Sequence, residues 1–260
     1  MRRLFLLWIV GCVSLMGAGG LGMYERLGEA VPLDLPFTDE EGQTVTFREL
    51  MAGKPAILTL NYYRCPGLCT PQLNDLAKTL SQLDLAENTD YKVITLSFHP
   101  GDTPELANSK KTNLLASMKR PYVADAWRFL VGSQENITQV TQSVGFRYQK
   151  EVSEEGMVNY IHPAALVVLS PEGKITRYLN GITQLPFDVK LALIEASEGK
   201  VGPTIAKTLL YCFAYDPENK TYVFAVEKLL AILLSLILLG FFIYLILSGR
   251  KRNKTEKDHE

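Results

Sequence analysis

The apolar positions of this chain recur with two periods, and their alternation sets out an α/β order. Residues 56–62 and 91–98 are short apolar runs rich in β-branched and aromatic side chains, and they predict core strands; 127–131 predicts a third. Between the first two, Leu73, Leu76, Ala77, Leu80 and Leu83 fall on a helical period. They predict a helix over 71–85, with Thr70 as N-cap and Pro71 in the first turn. A second helix is expected after Asp102 and Thr103, reaching about Ser117, and a third runs from Ser133 to about Val144. Residues 164–169 and 175–179 read as paired strands around a turn at 170–174, and 187–198 as a closing helix ended by Gly199. Upstream, 31–50 reads as β-rich, with a hairpin turn over 39–42. Strands alternating with helices, then a hairpin and a last helix, predict an α/β fold with a central sheet flanked by helices.

Two longer apolar stretches lie toward the ends. The first, 4–23, follows Arg2 and Arg3 and reads as a signal peptide or an N-terminal anchor. Ile9, Val10 and Gly11 before Cys12 only loosely match a lipoprotein cleavage box, since the apolar run ahead of them is short. The second stretch, 229–247, contains no charged residue and is followed by Arg250, Lys251, Arg252 and Lys254. Its length, at about 1.5 Å per residue, comes to about 28 Å and predicts a C-terminal transmembrane helix. The basic tail then faces the cytoplasm and the bulk of the chain lies on the exoplasmic side, at the cell membrane. That side permits disulfides.

Charge adds an exclusion. Lysines and arginines (27) nearly balance aspartates and glutamates (28), so bulk charge supports no nucleic-acid partner. Only four cysteines are present, too few for a disulfide scaffold, and two of them are clustered.

Those two carry the chemistry. Cys65 and Cys69 lie between the first core strand and the helix after it, where a helix N-terminus favours thiolates. With a dithiol at that place, the predicted sheet is of thioredoxin-like type. The pair can close a disulfide, hold a soft metal, or do both in turn. His162, ahead of the strand at 164–169, is a third candidate ligand, although taken alone a histidine there better suits a satisfied core position. Two thiolates and an imidazole leave zinc short of a closed four-ligand site, whereas copper(I) accepts two or three ligands. Asp102 reads as a helix-capping residue or an acid near the thiols. His99 reads as a loop residue or an auxiliary ligand, and Trp127, Phe129 and Tyr148 as core or site rim.

The pieces occur in a telling order: Cys65 to Cys69 followed by Thr70 and Pro71; Asp102, Thr103, Pro104, Glu105; Gly145, Phe146, Tyr148; then His162 before an apolar strand and the turn at Pro171, Glu172, Gly173. In this order the chain resembles the Sco/SenC/PrrC family over about residues 31–198. That resemblance implies a membrane-tethered, thioredoxin-fold copper protein with Cys65, Cys69 and His162 as metal ligands. It implies Cu(I) as cargo, with Cu(II) as a second state, and a role in assembling the copper centre of cytochrome c oxidase subunit II or a related copper protein. The resemblance leaves open a thiol-disulfide reductase, with Cys65 and Cys69 as its redox pair, and a redox or copper sensor. Three departures stand out: His99-Pro100 where the family commonly has Asp-Pro, Ile161 and Pro163 around the histidine in place of Asp and Ser, and the clear anchor at the C-terminal end. The expected domains are 1–25 (signal or anchor), 31–198 (thioredoxin-like Sco domain), 199–228 (an aromatic-rich juxtamembrane extension that includes Cys212), 229–247 (transmembrane helix) and 248–260 (cytoplasmic tail).

Overall fold

A computed structural model describes residues 20–152, 158–202, 213–216 and 221–224, with single helical positions at 234, 237, 238, 240 and 241. The chain divides into two compact units, one ending at Gly202 and the other beginning at Pro203.

In the first unit the strands are β1 (Gly22–Met23), β2 (Phe37–Asp39), β3 (Thr44–Val45), β4 (Ala56–Asn61), β5 (Lys92–Ser97), β6 (Trp127–Val131), β7 (Phe146–Arg147), β8 (Gln149–Val152), β9 (Val158–Ile161), β10 (Ala165–Leu169) and β11 (Ile175–Asn180). The helices are α1 (Phe47–Met51), α2 (Cys69–Leu80), α3 (Pro104–Ala116), α4 (Gln134–Ser143) and α5 (Pro186–Ser197). Seven strands form one sheet in the order β11-β10-β4-β5-β6-β2-β3. β4, β5 and β6 run parallel, and β10 and β2 pair antiparallel on either side of them. The second unit contains an antiparallel pair, β12 (Phe213–Asp216) with β13 (Thr221–Phe224).

The pleat sorts the side chains of β4 onto two cores. Ala56, Leu58 and Leu60 join Phe47 of α1 and Ile137 and Val140 of α4 on one face. Ile57 joins Leu73, Leu76 and Leu80 of α2 and Val189 and Leu193 of α5 on the other. Thr59 and Asn61 share that second face and are fully buried, so each needs a polar partner. Thr59 donates to the Thr95 hydroxyl at 2.9 Å, and Asn61 donates to Gln72 Oε1 of α2 at 3.1 Å.

The expected order of core strands and helices is present, as is the central sheet flanked by helices. Boundaries shift where capping decides them. α2 begins at Cys69 rather than Pro71, because the Gln72 N–H already donates to the Leu68 carbonyl at 3.0 Å, and it ends at Leu80. Its N-cap is Leu68, with no side-chain cap, so Thr70 is not the capping residue. α3 and α4 are capped by Thr103 and Ser133, each accepting a backbone N–H. The hairpin expected at 39–42 is β2–β3, and the short α1 after it carries a Thr46–Glu49 capping box. Among the described residues no helix is long and apolar enough to cross a membrane. Most of the span expected at 229–247, and the stretch before residue 20, lie outside those residues.

One buried charge cluster ties the hairpin to the sheet. Glu40 accepts from Lys111 Nζ at 2.5 Å and from the Phe129 N–H at 2.9 Å, and the Arg128 guanidinium lies 2.9 Å away. Arg128 also pairs with the buried Asp39. Breaking one side of such a cluster strands its partners without water. Glu40→Ala is therefore expected to cost about 3 kcal/mol of unfolding free energy, measured by urea denaturation; a change near zero would show that the cluster is solvated.

Candidate metal centre

The site forms where β4 ends. Past Asn61 the chain turns away from the sheet and re-enters regular structure at Cys69, the first residue of α2. Two bonds hold that turn. The Cys65 N–H donates to the Tyr62 carbonyl at 3.3 Å, and the Tyr63 N–H donates to Asp102 Oδ2 at 2.7 Å. Asp102 also accepts from the Ser97 hydroxyl at 2.7 Å. It is thus not the cap of α3, which is Thr103; it fastens the cysteine loop to the end of β5.

His162 arrives from the neighbouring strand. β10 pairs antiparallel with β4 in the register Leu166↔Thr59, so the residues just before β10 lie level with those just after β4. Gln72 Nε2 donates to the Ala165 carbonyl at 3.2 Å and joins α2 to that strand end. As a result one donor atom each from Cys65, Cys69 and His162 lies within 4.8 Å of the others. Cys69 Sγ and His162 Nε2 are 3.3 Å apart. His162 Nδ1 is 3.0 Å from the Pro163 carbonyl, which can only accept. Nδ1 therefore donates to that carbonyl, and Nε2 is the ring nitrogen that faces the sulfurs. Neither cysteine is in a disulfide; Cys69 is buried and Cys65 is half-buried.

The surroundings of the two sulfurs divide their protons unequally. A hydrogen bond from the Cys69 thiol holds Cys65 well below the ordinary thiol range, against the opposing effect of burial. The His162 imidazole and the Cys69 and Gly67 N–H groups add to the lowering, with Gly67 N 3.3 Å from Sγ. The same bond to Cys65, with burial, pushes Cys69 up, while the Tyr62 N–H and the Asn61 side chain favour its thiolate. Burial, and then a hydrogen bond to Cys65, raise the Tyr62 phenol. These surroundings favour the thiolate at Cys65 and the thiol at Cys69.

An aromatic box surrounds the imidazole. Phe98, Phe146 and Tyr62 have ring centroids 5.1, 6.0 and 6.1 Å from that of His162. Tyr160 packs edge-on against Tyr62 and Phe98. His99 lies outside the donor cluster; its Nδ1 is 2.9 Å from the Tyr160 hydroxyl. Tyr148 belongs to the box, 4.7 Å from Phe98, whereas Trp127 and Phe129 stack on each other in the core. Cys12 and Cys212 lie outside the described residues. Residue type and order alone do not single out Tyr62, Asn61, Gln72 or Tyr160. The signal available for the first two was their place at the end of a core strand, beside the dithiol.

Two soft sulfurs and an imidazole nitrogen converging at this spacing suit a soft transition metal. The SCO1/SenC family pattern matches residues 26–189. The chain belongs to the SCO1/SenC family. Among its relatives is the SCO1 protein homolog of Bacillus subtilis, 28% identical over 160 residues, which span 59% of this chain and 76% of that protein. Of the solved structures, Arabidopsis thaliana ScoI with copper bound is 21% identical with a TM-score of 0.53, covering 67% of this chain and 99% of that one. BsSco, a member of the Sco family of cytochrome c oxidase assembly proteins in which a disulfide switch was identified, is 23% identical with a TM-score of 0.50, covering 67% and 96%. At these identities the two structures establish the fold.

The unequal protons make a pH prediction. A thiol whose folded pKa is depressed stays ionised as pH falls below the ordinary value near 8.5, whereas a free thiol loses about tenfold in thiolate per unit. Alkylation of the reduced protein by iodoacetamide should therefore modify Cys65 first, at a rate nearly flat between about pH 8 and pH 6. Peptide mapping of the first-modified cysteine checks the order, and a tenfold fall per pH unit would contradict the thiolate assignment.

Proposed function

We propose that this protein is a copper-binding assembly factor that holds one copper ion between Cys65, Cys69 and His162 and passes it to a copper protein of the respiratory oxidase, with cytochrome c oxidase subunit II as recipient. The observation that carries this reading is the convergence of three soft donors from two sheet-paired segments within 4.8 Å. Membership of the SCO1/SenC family and the copper held by a relative of the same fold support it.

The donor set suits a carrier. Three ligands satisfy copper(I) while leaving a place for an incoming ligand, so transfer can proceed by exchange rather than release. Cys65 is the more accessible sulfur and would be the first to meet a recipient's thiolate. Cys69 and His162, both buried, would hold the metal until last. On this reading the apolar stretch at 229–247 anchors the protein in the cell membrane, with the domain exoplasmic and the basic tail cytoplasmic.

The same sulfurs support a second reading, favoured by the proton sharing between them. As a reductase, the Cys65 thiolate would attack a target disulfide and form a mixed disulfide, expelling the target's other sulfur as a thiolate. Cys69, giving up its proton, would then attack the Cys65 sulfur and release the reduced target. Two electrons pass to the target and a Cys65–Cys69 disulfide remains. A Cys69→Ser variant would trap the mixed disulfide with a peptide carrying two disulfide-bonded cysteines; no adduct would set the reductase reading aside.

For the copper reading, the reduced protein is expected to take up one copper(I) per chain in competition with a chromophoric chelator, and none once Cys65 and Cys69 are oxidised. His162→Ala should weaken retention at least tenfold, and unchanged affinity would remove His162 from the site. Because the surroundings of Cys65 favour its thiolate, loading near pH 7 should release about one proton rather than two. Titration in weakly buffered solution counts them, and two would contradict that preference.

A further inference from the structure

His162 stands at a seam between two sheets. The residues after it enter β10, which pairs with β4 in the main sheet; the residues before it form β9, which pairs with β8 in a separate two-stranded sheet. The β10 side of the seam is fixed, since the Gly181 N–H donates to the Ala164 carbonyl at 2.8 Å and strand pairing follows at once. The β9 side needs a fastening of its own, because β8 is exposed along its whole length and Ile161 is exposed at the end of β9. Tyr160 supplies one half of it. Its ring packs edge-on against Tyr62 at 5.2 Å and Phe98 at 5.4 Å, and its hydroxyl lies 2.9 Å from His99 Nδ1. A hydroxyl both donates and accepts, so this bond closes with either tautomer of the imidazole.

His99, the other half, is a firmly held post. Its N–H donates to the Ser97 hydroxyl at 3.2 Å, and its carbonyl accepts from the Asp102 N–H at 3.1 Å. Gly101 leaves room for the imidazole, for a Cβ there would lie 2.9 Å from Nε2. The same turn reaches the cysteine loop, where Asp102 accepts the Tyr63 N–H at 2.7 Å. Residues 97–102 thus grip both arms of the donor cluster, the cysteines through Asp102 and the histidine strand through His99. We propose that His99 is a positioning residue: its bond to Tyr160 clasps β9 and fixes His162, two residues further on, against the two sulfurs. A ligand on a seam keeps its place only when both sides are held, and this bond holds the side that the main sheet does not. The role deepens the copper reading and rests on it, but the first measurement requires no metal, so the failure of one is told apart from the failure of the other.

The test begins with amide hydrogen exchange, read by mass, on the metal-free full-length protein. Tyr160→Phe keeps the ring in the box and removes the hydroxyl; His99→Ala removes the post; His99→Asn keeps a polar atom near the place of Nδ1. Tyr148→Phe, which removes a hydroxyl elsewhere in the box, is the control. Loss of one hydrogen bond should speed exchange in 158–162 about fivefold in Tyr160→Phe and in His99→Ala, with 165–169 and the control within about twofold of wild type and His99→Asn close to it. Unchanged exchange in 158–162, or an equal rise in 165–169, would overturn the clasp. Competition for copper(I) then asks whether the clasp acts through His162. Tyr160→Phe should weaken retention about fivefold in the wild-type background and not at all in a His162→Ala background, where there is no imidazole to position. The same loss in both backgrounds would overturn the positioning role.

Discussion

The antiparallel pairing of β4 with β10 is the constraint on which the site depends. Cys69 and His162 are separated by 93 residues, and nothing local brings them together. The register Leu166↔Thr59 does so, because it sets the approach to β10 level with the exit from β4. Both strands are buried along their whole length, so the register is fixed by core packing on two faces. A slip of one residue would send Ile57 and Leu58 to each other's cores and carry His162 away from the sulfurs. The energy of the hydrophobic sheet is in this way converted into the position of one imidazole.

The polar groups around that junction hold it from several sides. Asn61 and Gln72 link β4 to α2, Gln72 links α2 to β10, and Asp102 links the cysteine loop to β5. Each uses a buried hydrogen bond where an unsatisfied group would be costly. The reduced pair is consequently preorganised: the surroundings favour the charge on Cys65, and the imidazole faces both sulfurs through Nε2.

Much of this was legible in the sequence because the signals were strong and local. The core strands are apolar runs bounded by turn residues, and Thr103 and Ser133 stand where caps belong. Cys65, Cys69 and His162 were readable from residue type and order. What was not readable depended on tertiary contact. α2 starts at Cys69 because of a backbone bond to Leu68, which no side-chain cap announces. Asp102 looks like a cap in sequence, yet its partner, Tyr63, lies 39 residues away. Tyr62 looks like one more aromatic in a core strand, and only the fold sets its ring against His162. His99 reads in the sequence as a loop residue or an auxiliary ligand, but the fold spends its imidazole on Tyr160.

Pro163, adjacent to the histidine, bears on how the sheet stops. Carried two residues past Asn61–Ala164, the β4–β10 register would set Pro163 across from Tyr62 at the first step. Asn61 turns its carbonyl to β5, accepting from the Phe98 N–H at 2.9 Å, so alternation turns the Tyr62 amide toward β10. A proline there has no N–H to offer, and its carbonyl is engaged by His162. The sheet therefore cannot zip one rung further, and the Tyr62 N–H is left outside the ladder, where it favours the Cys69 thiolate. An imino acid in the chain thus acts as a stop for the zipper, and the rung it forbids becomes available to the chemistry.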